Sequence, residues 1–526
     1  MVSLKAPKHT GRSSRSRSPN PGPEMASLKI RNVTVSPLEL VLAERFERGP
    51  AHHAGGFSRI TGLFTSSATT PALFTPAEGQ EPSERLDVDG VVVGAFETRA
   101  TDIRPPEPGR SVLRLTFRAA AHRYVVDLPS PGARSVVMRR VKEGEDGGEG
   151  DDNATATATT TTPPELTTVY TPSAHHLTVL SSANLSRWMR ELGDAWPLSA
   201  LSVPGTHNSP TCHVALPSVR CQAVGVREQL DNGVRFLDVR VSASRGDGND
   251  SLALVHSVFP VSLGGNRYLA GLLDELYAFL DDNPSEALII SLKREGTGRG
   301  TDQHLSQHLF RRYCGGGGGG GGGKAEGEDE GDNKDTAAAR RWFTEPRIPS
   351  LGEARGKIVL VRRFNNDDAL QAEHGGRGWG IDAAAWPDNC ADGTVGSGLV
   401  RVQDLYEVGQ SAGIDKKAEV ARSHLERAGQ QVFAAAPAPP PPFFVNFLTA
   451  SNFFNASCWP EKIAAKVNPS IVEYLCVRHA EKGKGPAQLD VGDAGTGIVV
   501  TDWVGHDGDW DLIRCIVAWN ARLQLK

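Results

Sequence analysis

Nowhere does the chain hold about 18 consecutive apolar residues, so no segment reads as a membrane-spanning helix. The amino-terminal residues are rich in Ser, Arg and Pro and lack the continuous apolar stretch that a secretory signal requires. Both absences predict a cytoplasmic protein, or one that meets membranes from the side. Cysteine is sparse. Cys212, Cys221, Cys314, Cys390, Cys458, Cys476 and Cys515 are scattered with no CxxC and no paired spacing, which argues against a disulfide framework and against a zinc site. An excess of one charge is also missing. The 57 basic and 62 acidic residues are largely interspersed and leave a formal net charge of -5, so no domain-wide basic footprint for nucleic acid exists.

What is present divides the chain. Its 526 residues exceed one ordinary core. Residues 1–24 are basic, Ser/Pro-rich and poor in large apolar groups, which predicts disorder. Over residues 25–182, short alternating segments such as Leu113/Leu115/Phe117 and Tyr124/Val126 are separated by Pro/Gly/Ser clusters, the pattern of a β-rich domain such as a small sandwich. Within it, the acidic, Gly-rich and Thr/Ala-rich run 143–164 reads as a solvated insert.

Over residues 183–526, apolar strands alternate with amphipathic helices, the signature of an α/β architecture with parallel strands. Candidate strands are Leu198–Val203, Val234–Val241, Leu252–His256, Ala287–Leu292, Lys357–Val361, Phe443–Leu448 and Gly497–Thr501. Leu269, Leu272, Leu273, Leu276, Tyr277 and Leu280 fall on one helical face, as do Leu512, Ile516, Trp519 and Leu523. No glycine-rich phosphate loop follows the first strand, and the strand count suggests a distorted or incomplete (β/α) barrel. Low-complexity inserts at 315–338 and 434–442 read as surface linkers.

Chemistry gathers at strand ends. His207 follows the strand that closes in Pro204-Gly205; Asp238 and Arg240 are two apart and so share a strand face; His256 ends the third candidate strand; Lys293 ends the fourth. In a barrel these ends form the catalytic rim. One imidazole can take a hydroxyl proton while the other protonates a leaving oxygen, and a guanidinium fork suits non-bridging phosphate oxygens. Each residue alone has a plainer explanation as a hydrogen-bonded structural group or a local ion pair. Co-occurrence at the same place in successive strands carries the reading.

These segments resemble the bacterial-type phosphatidylinositol-specific phospholipase C family, whose catalytic region is a distorted TIM barrel. The similarity runs from about Trp188 onward through Val203-Pro-Gly-Thr-His-Asn-Ser209, Phe236-Leu-Asp-Val-Arg240, Asp282-Asn-Pro-Ser-Glu-Ala-Leu, Trp386-Pro-Asp-Asn389 and Val402-Gln-Asp-Leu-Tyr406. It implies a metal-independent lyase that cleaves phosphatidylinositol, or a related inositol lipid, to diacylglycerol and a cyclic inositol phosphate. The implied protein is a monomer in peripheral contact with a membrane. His207 becomes the base on the inositol 2-hydroxyl and His256 the acid on the diacylglycerol oxygen. Arg240 becomes the phosphate ligand, Asp238 a support for His256 or the leaving group, and Asp502 the carboxylate that orients His207. Lys293, Arg363, Asp404, Tyr406 and Thr449 fall on inositol-contacting positions.

The sequence departs from the family in two places. Asn208 stands where the bacterial enzymes usually have aspartate, and calcium-dependent relatives use asparagine there as a metal ligand. Arg240 occupies the place of an acidic calcium ligand, and no carboxylate cluster compensates. No cofactor is therefore expected, calcium included. Ser257-Val-Phe-Pro260 also lacks the glycine expected near His256. Two other readings stay open: a glycerophosphodiesterase, although its paired glutamates are missing, and a catalytically inactive inositol-lipid-binding protein, which would need the arginine but not two imidazoles.

Overall fold

The computed structural model describes residues 27–48, 74–129 except 78, 135–141, 163–314 except 247, 249 and 250, 340–435 and 439–526. The expected disorder of 1–24, all but the end of the 143–164 insert, and the 315–338 insert lie outside the described residues, as do residues 436–438 of the Ala/Pro run.

The β-rich region forms two five-stranded sheets. One orders Thr98–Ala100, Lys29–Val33, His176–Ser181, Leu166–Thr171 and Ser135–Val137; the other orders Glu84–Val93, Leu38–Glu47, Ser111–Ala119, His122–Leu128 and Arg139–Arg140. The period-two pattern explains the packing. Leu113, Leu115 and Phe117 are buried between the sheets, while Arg114 and Arg118 on the opposite face pair with Asp127 and Glu39. Leu28, Ile30, Leu40, Tyr124, Val126 and Leu177 complete this core.

The second region is a curled parallel sheet of seven strands: β1 Val203–Thr206, β2 Phe236–Ala243, β3 Leu288–Arg294, β4 Ile358–Arg363, β5 Val400–Gln403, β6 Phe443–Phe447 and β7 Ile498–Thr501. Their order is β4-β3-β2-β1-β7-β6-β5, each pair parallel, so strand order follows the chain around an open barrel. Among the described residues no pairing joins the β4 side to β5; the short strands Trp342–Phe343 and Ile381–Asp382 sit against β4 instead. This is the incomplete barrel expected, preceded by the all-β unit. Gly205 lets β1 approach β2 closely, because a Cβ there would sit 2.9 Å from the Phe236 ring.

Helices cover the outer face. On Leu269–Asp282, Leu269, Leu272, Leu273, Leu276 and Leu280 are buried as the periodicity predicts, and Phe279 joins them. Tyr277 is only half-buried and accepts a hydrogen bond from Trp342 Nε1 at 2.8 Å. At the carboxyl end Leu512, Ile516, Trp519 and Leu523 are all buried. Trp519 packs where the sandwich meets the helices Pro460–Val477 and Asp511–Ala518. Arg31 crosses that seam. Its guanidinium lies 5.2 Å from the Trp519 ring and donates to the carbonyls of Cys476, at 3.1 Å, and His479.

Two expected strands change and one strand is added. Leu252–His256 is not a barrel strand: it runs antiparallel to the far end of β2 and pairs with Phe259–Pro260. Period-two burial is the same for a hairpin as for a buried parallel strand, so the pattern could not separate them. Leu198–Ala200 is a 3-10 turn, with β1 starting at Val203. The strand β5, four residues long, fell below what periodicity resolves.

Candidate active site

The carboxyl ends of β1, β2, β3 and β4, with loops after β5, β6 and the Leu252–His256 strand, enclose a cavity of about 410 Å3. His207, Arg240, His256, Lys293, Arg363, Asp404, Tyr406 and Thr449 all line it. Asp238, Asp502 and Asn208 are buried behind its wall.

His207 and His256 face each other edge-on, ring centroids 5.5 Å apart. His207 Nδ1 bonds Asp502 Oδ1 at 3.1 Å, which leaves Nε2 free to exchange a proton. Gln222 fixes the same junction by donating to the carbonyls of His207 and Thr501 at 2.6 and 3.1 Å. Burial, then the Arg240 charge, push His207 well below the ordinary imidazole value, and burial pushes the Asp502 carboxyl well up. The resting imidazole is therefore neutral. His256 donates from Nδ1 to the Val219 carbonyl at 2.9 Å; burial and then Arg240 lower it to about 4. An anionic ligand between the rings would reverse part of that shift.

A row of cations crosses the sheet. Arg240 of β2 is in register with Lys293 of β3, and Lys293 with Arg363 of β4. Like charges on neighbouring strands repel unless countered. Two carboxylates do this: Asp238 Oδ2 accepts from Arg240 at 3.1 Å while its Oδ1 lies 3.5 Å from Arg363, and Glu295 accepts from Arg240 at 3.0 Å and from Lys293 at 2.7 Å. Burial alone would raise Glu295, but Arg240 and Lys293 outweigh it and hold it at about 2. Asp238 is likewise held below its usual range against the effect of burial, by Arg240 and Arg363. Asp238 therefore serves the two arginines, and its charge also raises His256 against the effect of burial, without a hydrogen bond to that ring among the described residues.

The residues at the Arg363 end of the row are also fixed. Arg363 stacks 3.9 Å from the Trp386 ring centroid, and Trp386 Nε1 donates to Asp404 Oδ2 at 3.0 Å. Tyr406 donates to Asp388 at 2.8 Å. Buried Lys417 donates to Gln403 Oε1 and the Leu405 carbonyl at 3.0 and 2.7 Å and so anchors the turn bearing Asp404 and Tyr406. Asn208 takes a left-handed φ of 44°, which asparagine tolerates well, and neither side-chain polar atom has a partner among the described residues. Ser257 takes φ 55° where a glycine was expected, and Glu295 Oε2 holds its N–H at 3.0 Å, so the turn after His256 forms without glycine.

Glu295, Trp386, Lys417 and Gln222 were missed from sequence. Glu295 was readable, since it lies two residues past Lys293 on the same strand direction. Cys221 was missed too: its Sγ lies 3.6 Å from His256 Nδ1.

The mouth of an open α/β barrel thus places two imidazoles, groups that can pass protons, beside a countered row of cations that suits an anion. Residues 197–297 match the family model described as PI-PLC X. The chain is 29% identical over 190 residues to a 1-phosphatidylinositol phosphodiesterase of Listeria monocytogenes, covering 35% of this chain and half of that enzyme's length. It is 24% identical over 359 residues to the enzyme of that name from Staphylococcus aureus, covering 66% of this chain and 98% of that one. A solved structure of a double mutant of the phosphatidylinositol-specific phospholipase C from S. aureus aligns with a TM-score of 0.47 and 22% identity over 64% of this chain and 97% of that one. The chain thus resembles the bacterial-type phosphatidylinositol-specific phospholipases C, with an added amino-terminal β unit.

Proposed function

We propose that this protein is a metal-independent phosphatidylinositol phospholipase C. His207 Nε2 removes the proton of the inositol 2-hydroxyl, that oxygen attacks phosphorus, and His256 protonates the departing diacylglycerol oxygen. The products are diacylglycerol and a cyclic inositol phosphate, and the neighbouring hydroxyl supplies the effective molarity of an intramolecular nucleophile. Arg240, backed by Arg363, neutralises the non-bridging oxygens; Lys293, Asp404, Tyr406 and Thr449 bind the ring hydroxyls. The observation that carries this reading is the pair of imidazoles 5.5 Å apart, each held at Nδ1, beside the Arg240–Lys293–Arg363 row.

The lipid is reached from the side. No helix among the described residues is long and apolar enough to cross a membrane. At the cavity rim, Phe259 stacks on Phe453 with centroids 5.8 Å apart, Phe453 meets Phe454, and Phe454 is 94% exposed. An exposed aromatic ridge of this kind suits a bilayer interface.

Product analysis on labelled phosphatidylinositol, with and without EDTA, tests the proposal. Cyclic inositol phosphate formed equally in both is expected. No cleavage, or cleavage abolished by EDTA and restored by calcium, rejects it.

A further inference from the structure

Cys221 has no part in this chemistry: the Val219 carbonyl, not the thiol, takes the His256 Nδ1 proton. Yet His207, Cys221 and His256, far apart in sequence, each offer a ligating atom within 4.8 Å of the others. The 3.6 Å between Cys221 Sγ and His256 Nδ1 matches the sulfur–nitrogen span across a tetrahedral zinc, about 3.6 Å from bonds of about 2.3 Å and 2.05 Å. His207 is already oriented as a metal-bound imidazole usually is, its Nδ1 on the Asp502 carboxylate and Nε2 left over. Arg240, the nearby cation that would oppose a metal, is engaged by Asp238 and Glu295. The donor set of one sulfur and two imidazoles selects a thiophilic first-row cation and offers calcium or magnesium no oxygen cage.

We propose that His207, Cys221 and His256 form an inhibitory site for one thiophilic divalent cation of the zinc class. On binding, the Cys221 thiol gives its proton to solvent, and the His256 Nδ1 proton passes through solvent to Nε2, so that Nδ1 exchanges the Val219 carbonyl for the metal. The thiolate and one nitrogen of each ring then donate electron pairs to the cation, with water in the fourth position; nothing is oxidised or reduced. His207 Nε2 is thereby withdrawn as a base, and His256, ligated at Nδ1, can no longer take up the second proton that a general acid needs. The inhibitory half rests on the acid–base reading of His207 and His256; the binding half does not.

The test uses the full chain stripped with EDTA and titrated with Co2+ and then Zn2+. One equivalent of Co2+ should give a thiolate-to-cobalt charge-transfer band that Zn2+ bleaches, while Ca2+ and Mg2+ do nothing. Cys221→Ser should lose the band, keep phosphatidylinositol cleavage when metal-free, and require at least about tenfold more Zn2+ for inhibition. A wild-type protein with no band, or a band that persists undiminished in Cys221→Ser, overturns the site. Should Cys221→Ser fail to fold by circular dichroism, His256→Ala decides: an unchanged band in that variant overturns the site, and loss of the band supports it. A one-equivalent band in a protein that never cleaves phosphatidylinositol rejects the catalytic reading and leaves the site standing. Cleavage that Zn2+ leaves untouched despite the band removes the inhibitory half.

Discussion

Two fully buried asparagines summarise the difference between the sandwich and the barrel. Asn32, in the sandwich, donates to the carbonyls of Ser36 and Val93 at 2.8 and 3.0 Å and accepts from the Thr34 N–H at 2.9 Å. Asn208, at the barrel mouth, bonds through neither side-chain atom, and Asp502 Oδ2, Arg363 Nε and Ser291 Oγ nearby are also without partners among the described residues. A buried polar group left unpaired costs about 1–3 kcal/mol. Asn32 spends its side-chain groups on the backbone of its own sheet region, whereas Asn208 and its neighbours hold several polar atoms unpaired behind the cavity wall. Unpaired buried atoms also occur away from the cavity, at His424 and His176, so the contrast rests on their clustering beside His207 and Arg363.

The largest effect is expected at the imidazoles. His207→Ala and His256→Ala should each lower kcat on phosphatidylinositol by about 10²–10⁴-fold while leaving the thermal midpoint near that of the wild type. With both histidines shifted down, kcat/KM should fall on its alkaline side below about pH 6.5, the ordinary imidazole value. A full-rate variant, or an optimum above neutrality, breaks the reading. The asparagines come next. Asn32→Ala strands two carbonyls and an N–H and should cost about 1–3 kcal/mol in denaturant unfolding. In Asn208→Ala the gain from deleting an unpaired buried amide opposes the loss from placing alanine at a left-handed φ, so stability should change little while turnover slows. Equal destabilisation by both would erase the contrast.

Legibility in the sequence followed the same line. His207, Arg240 and Lys293 could be read because a strand alternates faces and a barrel does chemistry at strand ends. The sandwich was readable from Leu113/Leu115/Phe117 for the same reason. Residues that loops or helices bring in could not be read: Gln222 and Cys221 approach the histidines from an irregular segment, Lys417 reaches Gln403 from a helix, and Phe453 and Phe454 form the rim from a loop with no periodicity. Cysteine spacing speaks only for ligands close in sequence, so it is silent on His207, Cys221 and His256, which three segments bring together.

Acid should separate the regions next. His176 and His479, near the sandwich–barrel seam, and His424, under the barrel, are lowered by burial to about 4, about 4 and about 3. Each is neutral when folded and binds a proton more readily when unfolded. Their stability is fully present above the unfolded value of about 6.5 and is lost as pH falls from there towards the folded values. The thermal midpoint should drop by several degrees between about pH 7.5 and pH 5. Because Arg31 touches the seam and also lowers His176 and His479, Arg31→Met should make the drop shallower. An unchanged slope would detach these histidines from the seam.

The smallest effect belongs to the rim. Burying a phenylalanyl side chain is worth about 1.5–3 kcal/mol, and a ring that enters only the interfacial layer gains part of that. Phe454 is almost wholly exposed and contributes nothing to either core, so Phe454→Ser should leave unfolding unchanged. It should weaken sedimentation with phosphatidylinositol-containing vesicles by about threefold to tenfold, yet leave cleavage of a monomeric, short-chain inositol lipid intact, because His207, His256 and the cation row stay in place. A matched loss on both substrates would mean that Phe454 shapes the cavity instead of meeting the bilayer. No loss on either would leave the lipid approach to some other face of the barrel.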